Sequence, residues 1–333
     1  MRANHHVFQH LITQCENLEP IVVAVAWPCD DISLAGALEA AQHRLIVPVL
    51  VGPRSLMLAV AQTLKRDISN VRIVEADSPE AAAAQAVALC RKAECAALMK
   101  GSLHTDVLMH EVTRAETGLR GARRLSHVFV MDVPNYSKLL LITDAAINIY
   151  PSLEEKADIV QNAIELAQVL GIEQPKVAIL SAVETVTPKI ASTIDAAALC
   201  KMAERGQILG GILDGPLAFD NAISAEAAAT KGIQSPVAGD PDILLVPDLE
   251  AGNMLAKQLT FLLHADAAGL VLGARVPVIL TSRADNLRAK LASMAVATLL
   301  AHTWRGTGAP FTAAAAASSA AAAAASSAAA LPG

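Results

Sequence analysis

The segment Thr281-Ser282-Arg283-Ala284-Asp285-Asn286 places a hydroxyl, a guanidinium and a carboxylate within four residues. A guanidinium offers two parallel donors that match a phosphate, and a serine hydroxyl can bond a reacting thiol or carbonyl oxygen. Asp285 reads in two ways, as a group that takes a proton or as the N-cap of the helix that follows. A second cluster, Lys100-Gly101-Ser102-Leu103-His104-Thr105, sets a glycine and two hydroxyls at the opening of a helix. Glycine lets a ligand come close to the backbone, and a helix N-terminus favours an anion. Gly101, Ser102, His104 and Thr105 are thus candidates for substrate binding. The plainer alternative is a strand-to-helix turn capped by Ser102 or Thr105. A third cluster runs from Ser235 to Asp240 and continues as Pro247-Asp248-Leu249-Glu250-Ala251-Gly252-Asn253. Asp248 and Asn253 are its binding candidates, with Asn253 as a helix cap the simpler reading.

Other chemistries lack their signatures. Trp27-Pro28-Cys29-Asp30 follows the first strand where a dinucleotide site would carry GxGxxG, and neither GxxxxGK[ST] nor GxSxG occurs. His104, Asp106 and His110 do not have the spacing of a metal site, so no metal is expected. Twenty-six basic against thirty-two acidic residues give a net charge of −6, and only 3% of residues are aromatic. A broad positive field and stacking platforms are both missing, which argues against nucleic acid as a partner. The five cysteines are scattered without a CxxC pair. Such usage suits a reducing, cytoplasmic setting better than a disulfide framework or a structural zinc site. The polar start MRANHHVFQH and the strand-sized apolar runs carry the further expectation of a soluble chain with no membrane partner.

These clusters must be positioned by an alternation of short apolar strands and longer helices. Strands are expected at 20–28, 46–52, 72–76 and 96–101, with helices at 32–44, 55–65 and 79–94 between them. Near-continuous apolar strands separated by helices mark a mostly parallel α/β sheet. Val128–Val133 and Leu139–Thr143 follow each other closely enough for a hairpin. A second series begins near Pro151: helices at 153–170, 188–204 and 251–264, strands at 176–181, 242–246, 269–273 and 276–281, and a last helix at 285–302. The expected fold is two α/β/α domains with mostly parallel sheets. Residues 1–148 plus 274–308 would form the first domain and 149–273 the second. The Ala/Ser-rich stretch 309–333 has no apolar stripe to dock it and is expected to be a disordered tail.

GSLHTD, LDGPLAFDNA, SPVAGDPDILLVPDLEAGNM and VILTSRAD, in this order and spacing, resemble the phosphate acetyltransferase/phosphate butyryltransferase family over roughly residues 20–305. The resemblance implies reversible transfer of a short acyl group between CoA and inorganic phosphate, without metal or organic cofactor. Acyl-CoA, CoA, phosphate and acyl phosphate would be its small-molecule partners. It also implies two α/β domains around the active-site cleft, and a homodimer. Carried over by motif, the family's Ser-Arg pair falls on Ser282, which would bond the CoA sulfur, and Arg283, which would hold the phosphoryl oxygens. Acetyl-type members carry an aspartate seven residues after the serine, where this chain has Ala289. Its TSRAD is closer to butyryl-type members, and Asp285, the nearest carboxylate, becomes the candidate general base. Two other classes remain: a metal- and NAD-dependent 3-hydroxy acid dehydrogenase of related architecture, and a non-catalytic metabolite-binding protein.

Overall fold

The computed structural model describes residues 6–281 and 285–307. Ser282, Arg283 and the expected tail at 309–333 lie outside the described residues. The chain opens with α1 (His6–Glu16), then alternates β1 (Ile21–Ala26), α2 (Asp31–Gln42), β2 (Ile46–Val51), α3 (Arg54–Thr63) and β3 (Arg72–Val74). It continues through α4 (Pro79–Arg91), β4 (Ala97–Lys100) and α5 (Thr105–Thr113) to a hairpin of β5 (Ser126–Asp132) and β6 (Leu140–Thr143). A second series follows: α6 (Leu153–Val169), β7 (Lys176–Leu180), α7 (Ala191–Glu204), β8 (Ile212–Leu217), α8 (Phe219–Ile223) and α9 (Ala225–Thr230). Next come β9 (Ile243–Leu245) and α10 (Leu249–Leu262), then the hairpin of β10 (Asp266–Leu272) and β11 (Val278–Ile279). α11 (Leu287–Thr307) is the last described element.

All of these strands pair into one mixed, mostly parallel sheet in the order β3-β2-β1-β4-β11-β10-β5-β6-β9-β7-β8. The block β3-β2-β1-β4-β11 is parallel throughout, as is the block β6-β9-β7-β8. Three antiparallel pairings, β11–β10, β10–β5 and β5–β6, lie between them. Three reversals make the two blocks point in opposite directions, so their carboxyl ends lie at opposite ends of the sheet. Open α/β sheets bind ligands outside strand carboxyl ends, and this sheet therefore offers two such places.

Side chains alternate across the sheet. In β1, Val23 and Val25 enter one core while Ala24 and Ala26 enter another. The first core runs along one whole face, from Val25 through Leu270, Val130 and Leu141 to Val177. The opposite face carries two separate clusters, one around Val49, Leu98 and Val112 and the other around Ile142, Leu244 and Val246. α11 packs on the continuous face against α1, α2 and β10, with Leu291, Ala292 and Met294 buried. The last strand and helix thus join the first block, with β11 paired to β4.

His127 in β5 is fully buried, its ring edge-on to Phe129 with centroids 4.4 Å apart. Burial pushes its pKa down from 6.5 to about 4, and the neighbouring Asp144 charge opposes that shift without overcoming it. Between those two values the unfolded chain holds a proton that the folded chain refuses, so stability rises with pH across the window. Melting temperature should therefore fall as pH is lowered from 6.5 toward 4, and His127→Gln should flatten that slope. An unchanged slope in the variant would assign it to other groups.

Candidate active site

The first carboxyl end is built by the loops that leave β1, β4 and β11. The β4 turn is clamped onto the β1 loop: Gly101 N donates to Ala26 O and Ser102 N to Trp27 O, each at 2.9 Å. Ser102 Oγ donates to Trp27 O at 2.8 Å and accepts from Cys29 N at 3.3 Å. The buried Lys100 ammonium bridges the carbonyls of Gly101 and Leu103, both at 3.2 Å. A Cβ at Gly101 would stand 2.4 Å from Ala26 O, so no other residue fits this approach. Gly101→Ala must force the two strand-end loops apart. We expect it to lower the denaturation midpoint clearly and to abolish turnover; a normally folding, active variant would show that the clamp is not required.

The clamp corrects one expectation. The first two N–H groups of the turn are spent on the β1 loop and cannot also hold an anion. Nor does Ser102 or Thr105 cap α5: His104 takes the N-cap position, with no side-chain bond to the helix. His104 and Thr105 are both exposed at that N-terminus. The first turn of α5 is thus the part of this segment that can meet a ligand, its positive dipole end outward.

Asp285 and its surroundings complete this end. Asn286, not Asp285, caps α11: its Oδ1 accepts from Ala289 N at 2.9 Å, while its Nδ2 donates to Asp266 Oδ1 at 2.6 Å. Asp285 sits one residue outside the cap, partly buried and excused from that structural task. One turn into α11, Lys290 is only 5% exposed. Its stem passes Gly36 of α2, where a Cβ would come 3.4 Å from the lysine Cδ. Burial lowers the lysine pKa, and the charges of Asp285 and Asp30 oppose that shift. Asp30 ends the β1 loop and caps α2 through Ser33 N at 2.8 Å and Ser33 Oγ at 2.6 Å. Neither Lys290 nor Asp30 stood out in the sequence; the usable signal was a lysine inside an otherwise apolar helix, since lysine is rarely buried unpaired.

Asp248 and Asn253 are not part of this end. Met99, Ile279, Leu270, Val128, Thr143 and Leu245 are in register along one row of the sheet. Gly101 lies two residues beyond that row one way and Asp248 three residues the other way. Five strand steps separate β4 from β9, about 24 Å across the sheet, with about 16 Å more along it. Asp248 is the N-cap of α10, accepting from Ala251 N at 2.9 Å. Asn253 lies inside that helix, so it is no cap either; its Nδ2 donates to Ala145 O at 3.2 Å. Asn253 thereby braces the turn after β6. There the Asp144 carboxylate accepts from Ala146 N (2.9 Å), Ile147 N (3.0 Å), His127 N (3.1 Å), Asn148 N (3.3 Å) and Asn148 Nδ2 (2.6 Å). Gly252 packs on the same turn, where a Cβ would be 2.9 Å from Asp144 O. Beside it, Arg120, Arg123 and Arg124 line a cavity of about 440 Å³, with Arg123 paired to Glu165 at 2.6 Å and Arg124 to Glu155 at 2.7 Å.

Among the described residues no three His, Cys, Asp or Glu side chains gather as metal ligands, and no helix is long and apolar enough to cross a membrane.

The chain is similar to known proteins over most of its length. Residues 79–298 match the family model described as "Phosphate acetyl/butaryl transferase". A phosphate acetyltransferase of Rhizobium meliloti is 64% identical over 294 residues, 88% of this chain and 93% of its own. A phosphate butyryltransferase of Clostridium acetobutylicum is 40% identical over 88% of this chain and 98% of its own. Among solved structures, a branched-chain phosphotransacylase from Enterococcus faecalis V583 superposes with a TM-score of 0.74 at 34% identity, covering 85% of this chain and 99% of that one. Neither the dehydrogenase nor the non-catalytic alternative is favoured by these matches. The chain belongs to the phosphate acetyl- and butyryltransferase family, and is an acyltransferase for reversible phosphate acyl transfer.

Proposed function

We propose that the first carboxyl end is the transfer site, with acetyl as the preferred acyl group. In the direction that consumes CoA, the Asp285 carboxylate takes the thiol proton, and the sulfur forms its bond to the acyl carbon. The bond from that carbon to the phosphoryl oxygen then breaks, and phosphate leaves. A free thiol ionises near pH 8.5, so a positioned base raises the reactive fraction at neutral pH. The observation that carries this reading is the capping of α11 by Asn286, which puts Asp285 just outside the helix start, where its charge is felt by Lys290, and two residues after Arg283. The roles of Ser282 on the sulfur and Arg283 on the phosphoryl oxygens follow the family resemblance. The first turn of α5 would add its dipole to the phosphate side. No metal or organic cofactor takes part in this scheme.

The preference for acetyl rests on the 64% identity to an acetyltransferase. A pocket discriminates one or two methylenes by only about 1–3 kcal/mol, so butyryl-CoA should react as well, at a lower kcat/KM. A higher value for butyryl-CoA would reverse the assignment. Arg283→Lys tests the phosphate side. A point charge cannot replace two parallel donors, so KM for phosphate should rise at least several-fold in a folded variant. A wild-type KM would place Arg283 away from phosphate.

We further propose a cytoplasmic homodimer. The cysteines are free. The exposed Ile149, Tyr150 and Met254 form an apolar area around the turn after β6 of the kind that partners cover. Light scattering on Tyr150→Glu should show monomer where the wild type shows dimer.

A further inference from the structure

We propose that an arginine-lined groove at the amino ends of β4 and β11 binds a nucleoside di- or triphosphate, at a site separate from the transfer site. The groove is built around a seam between two segments. Gly121 N donates to Gly273 O at 3.0 Å, Arg275 N to Leu119 O at 2.8 Å and Arg275 Nε to Arg120 O at 3.3 Å. A Cβ at Gly121 would collide with the carbonyl oxygen of Gly273, so glycine is what lets the segments meet. One cavity beside the seam, of about 380 Å³, is lined by Arg91, Arg275 and Arg305, and the other, of about 440 Å³, by Arg120, Arg123 and Arg124. Six of the fifteen arginines of a chain with net charge −6 thus line two neighbouring cavities, and no Asp or Glu lines either. Arg123 and Arg124 are matched by Glu165 and Glu155. Among the described residues, Arg91, Arg120, Arg275 and Arg305 have no carboxylate within 4 Å, and all four are exposed. Residues 1–5, 282–284 and 308–333 contain no Asp or Glu to serve as their counter-charge.

Guanidinium groups match phosphate oxygens with paired donors, and four of them spread over both sides of a seam suit more than one phosphate. The half-buried Trp304 lines the 380 Å³ cavity with Cys95 and Val276, an apolar wall for a flat base. Both volumes are those of small-molecule sites, and a single inorganic phosphate would leave that wall bare. Ala96 lines this cavity, while Gly101 belongs to the transfer site. The five residue steps between them, along β4, span about 16 Å. An occupant of the groove therefore does not take the place of acyl phosphate.

The test is calorimetric titration of the full chain with ATP, without added metal ion and with CoA at saturation, so that the nucleotide end of the substrate site is filled. We expect ATP to bind with a Kd below about 1 mM, and adenosine and inorganic phosphate to bind about tenfold or more weakly. The double variant Arg91→Ser/Arg305→Ser should weaken ATP by about tenfold or more, with kcat for acyl transfer and the melting curve as in wild type. If that variant melts low, Arg275→Ser decides the matter, since its backbone bond to Leu119 is kept. Absence of ATP binding overturns the proposal, as does binding that CoA abolishes or that the arginine variants leave unchanged. Inorganic phosphate binding as tightly as ATP also overturns it, because the groove would then be a simple anion site.

Discussion

Asp285→Asn is expected to lower kcat in the CoA-consuming direction by roughly 10²–10⁴, the usual contribution of a positioned general base, with the melting curve unchanged. That factor is about 3–5 kcal/mol of barrier. The substitution leaves the helix cap in place. Asn286, not Asp285, accepts from Ala289 N, so the cap of α11 survives. Asparagine also keeps the volume of the side chain and withdraws only its charge. A variant with near-normal kcat would make Asp285 a bystander, and the thiol proton would have to leave by another group.

A second large effect is expected far from the chemistry. Asp144→Ala should destabilise the fold by on the order of 3–5 kcal/mol in chemical denaturation, because it strands several buried donors at once. Four backbone N–H groups and the Asn148 amide end on that one carboxylate. The turn they form is the seat of Gly252 and Asn253, so α10 loses its packing partner together with the hydrogen bonds. Asp144→Asn keeps an acceptor oxygen and should cost distinctly less. Equal losses for both variants would show that the negative charge, rather than the acceptor geometry, matters there.

The parallel strands were legible because they are buried on both faces and so read as unbroken apolar runs: IVVAVA in β1 and VAIL in β7 need no partner to be recognised. The β5–β6 hairpin was legible from short spacing alone, while β10 and β11 were read only as strands. β8 was not, since Asp214-Gly215-Pro216 inside it reads as a turn and only its place beside β7 makes it a strand. α1 was overlooked although Phe8, Leu11, Ile12 and Cys15 recur at helical spacing and are buried. At the site, the choice between Asp285 and Asn286 as cap is undecidable from residue type, because both side chains cap equally well. Asp248 and Asn253 lie at the other carboxyl end from Gly101 for a topological reason. Their strand has the same apolar look as β1 and β4 but points the other way, and that reversal is set by the antiparallel β10 and β5. Lys290 shows the same limit from another side. Its stem passes Gly36 of α2, far away in the chain, and only folding brings the two together.

The most direct test of the account is to mix the full chain with acetyl-CoA and inorganic phosphate, following free thiol and acetyl phosphate together. Transfer at one site predicts that thiol and acetyl phosphate appear in equal amounts, that omitting phosphate stops both, and that added CoA with acetyl phosphate runs the reaction backward. Thiol released without acetyl phosphate would mean water, not phosphate, receives the acyl group, and would contradict the account.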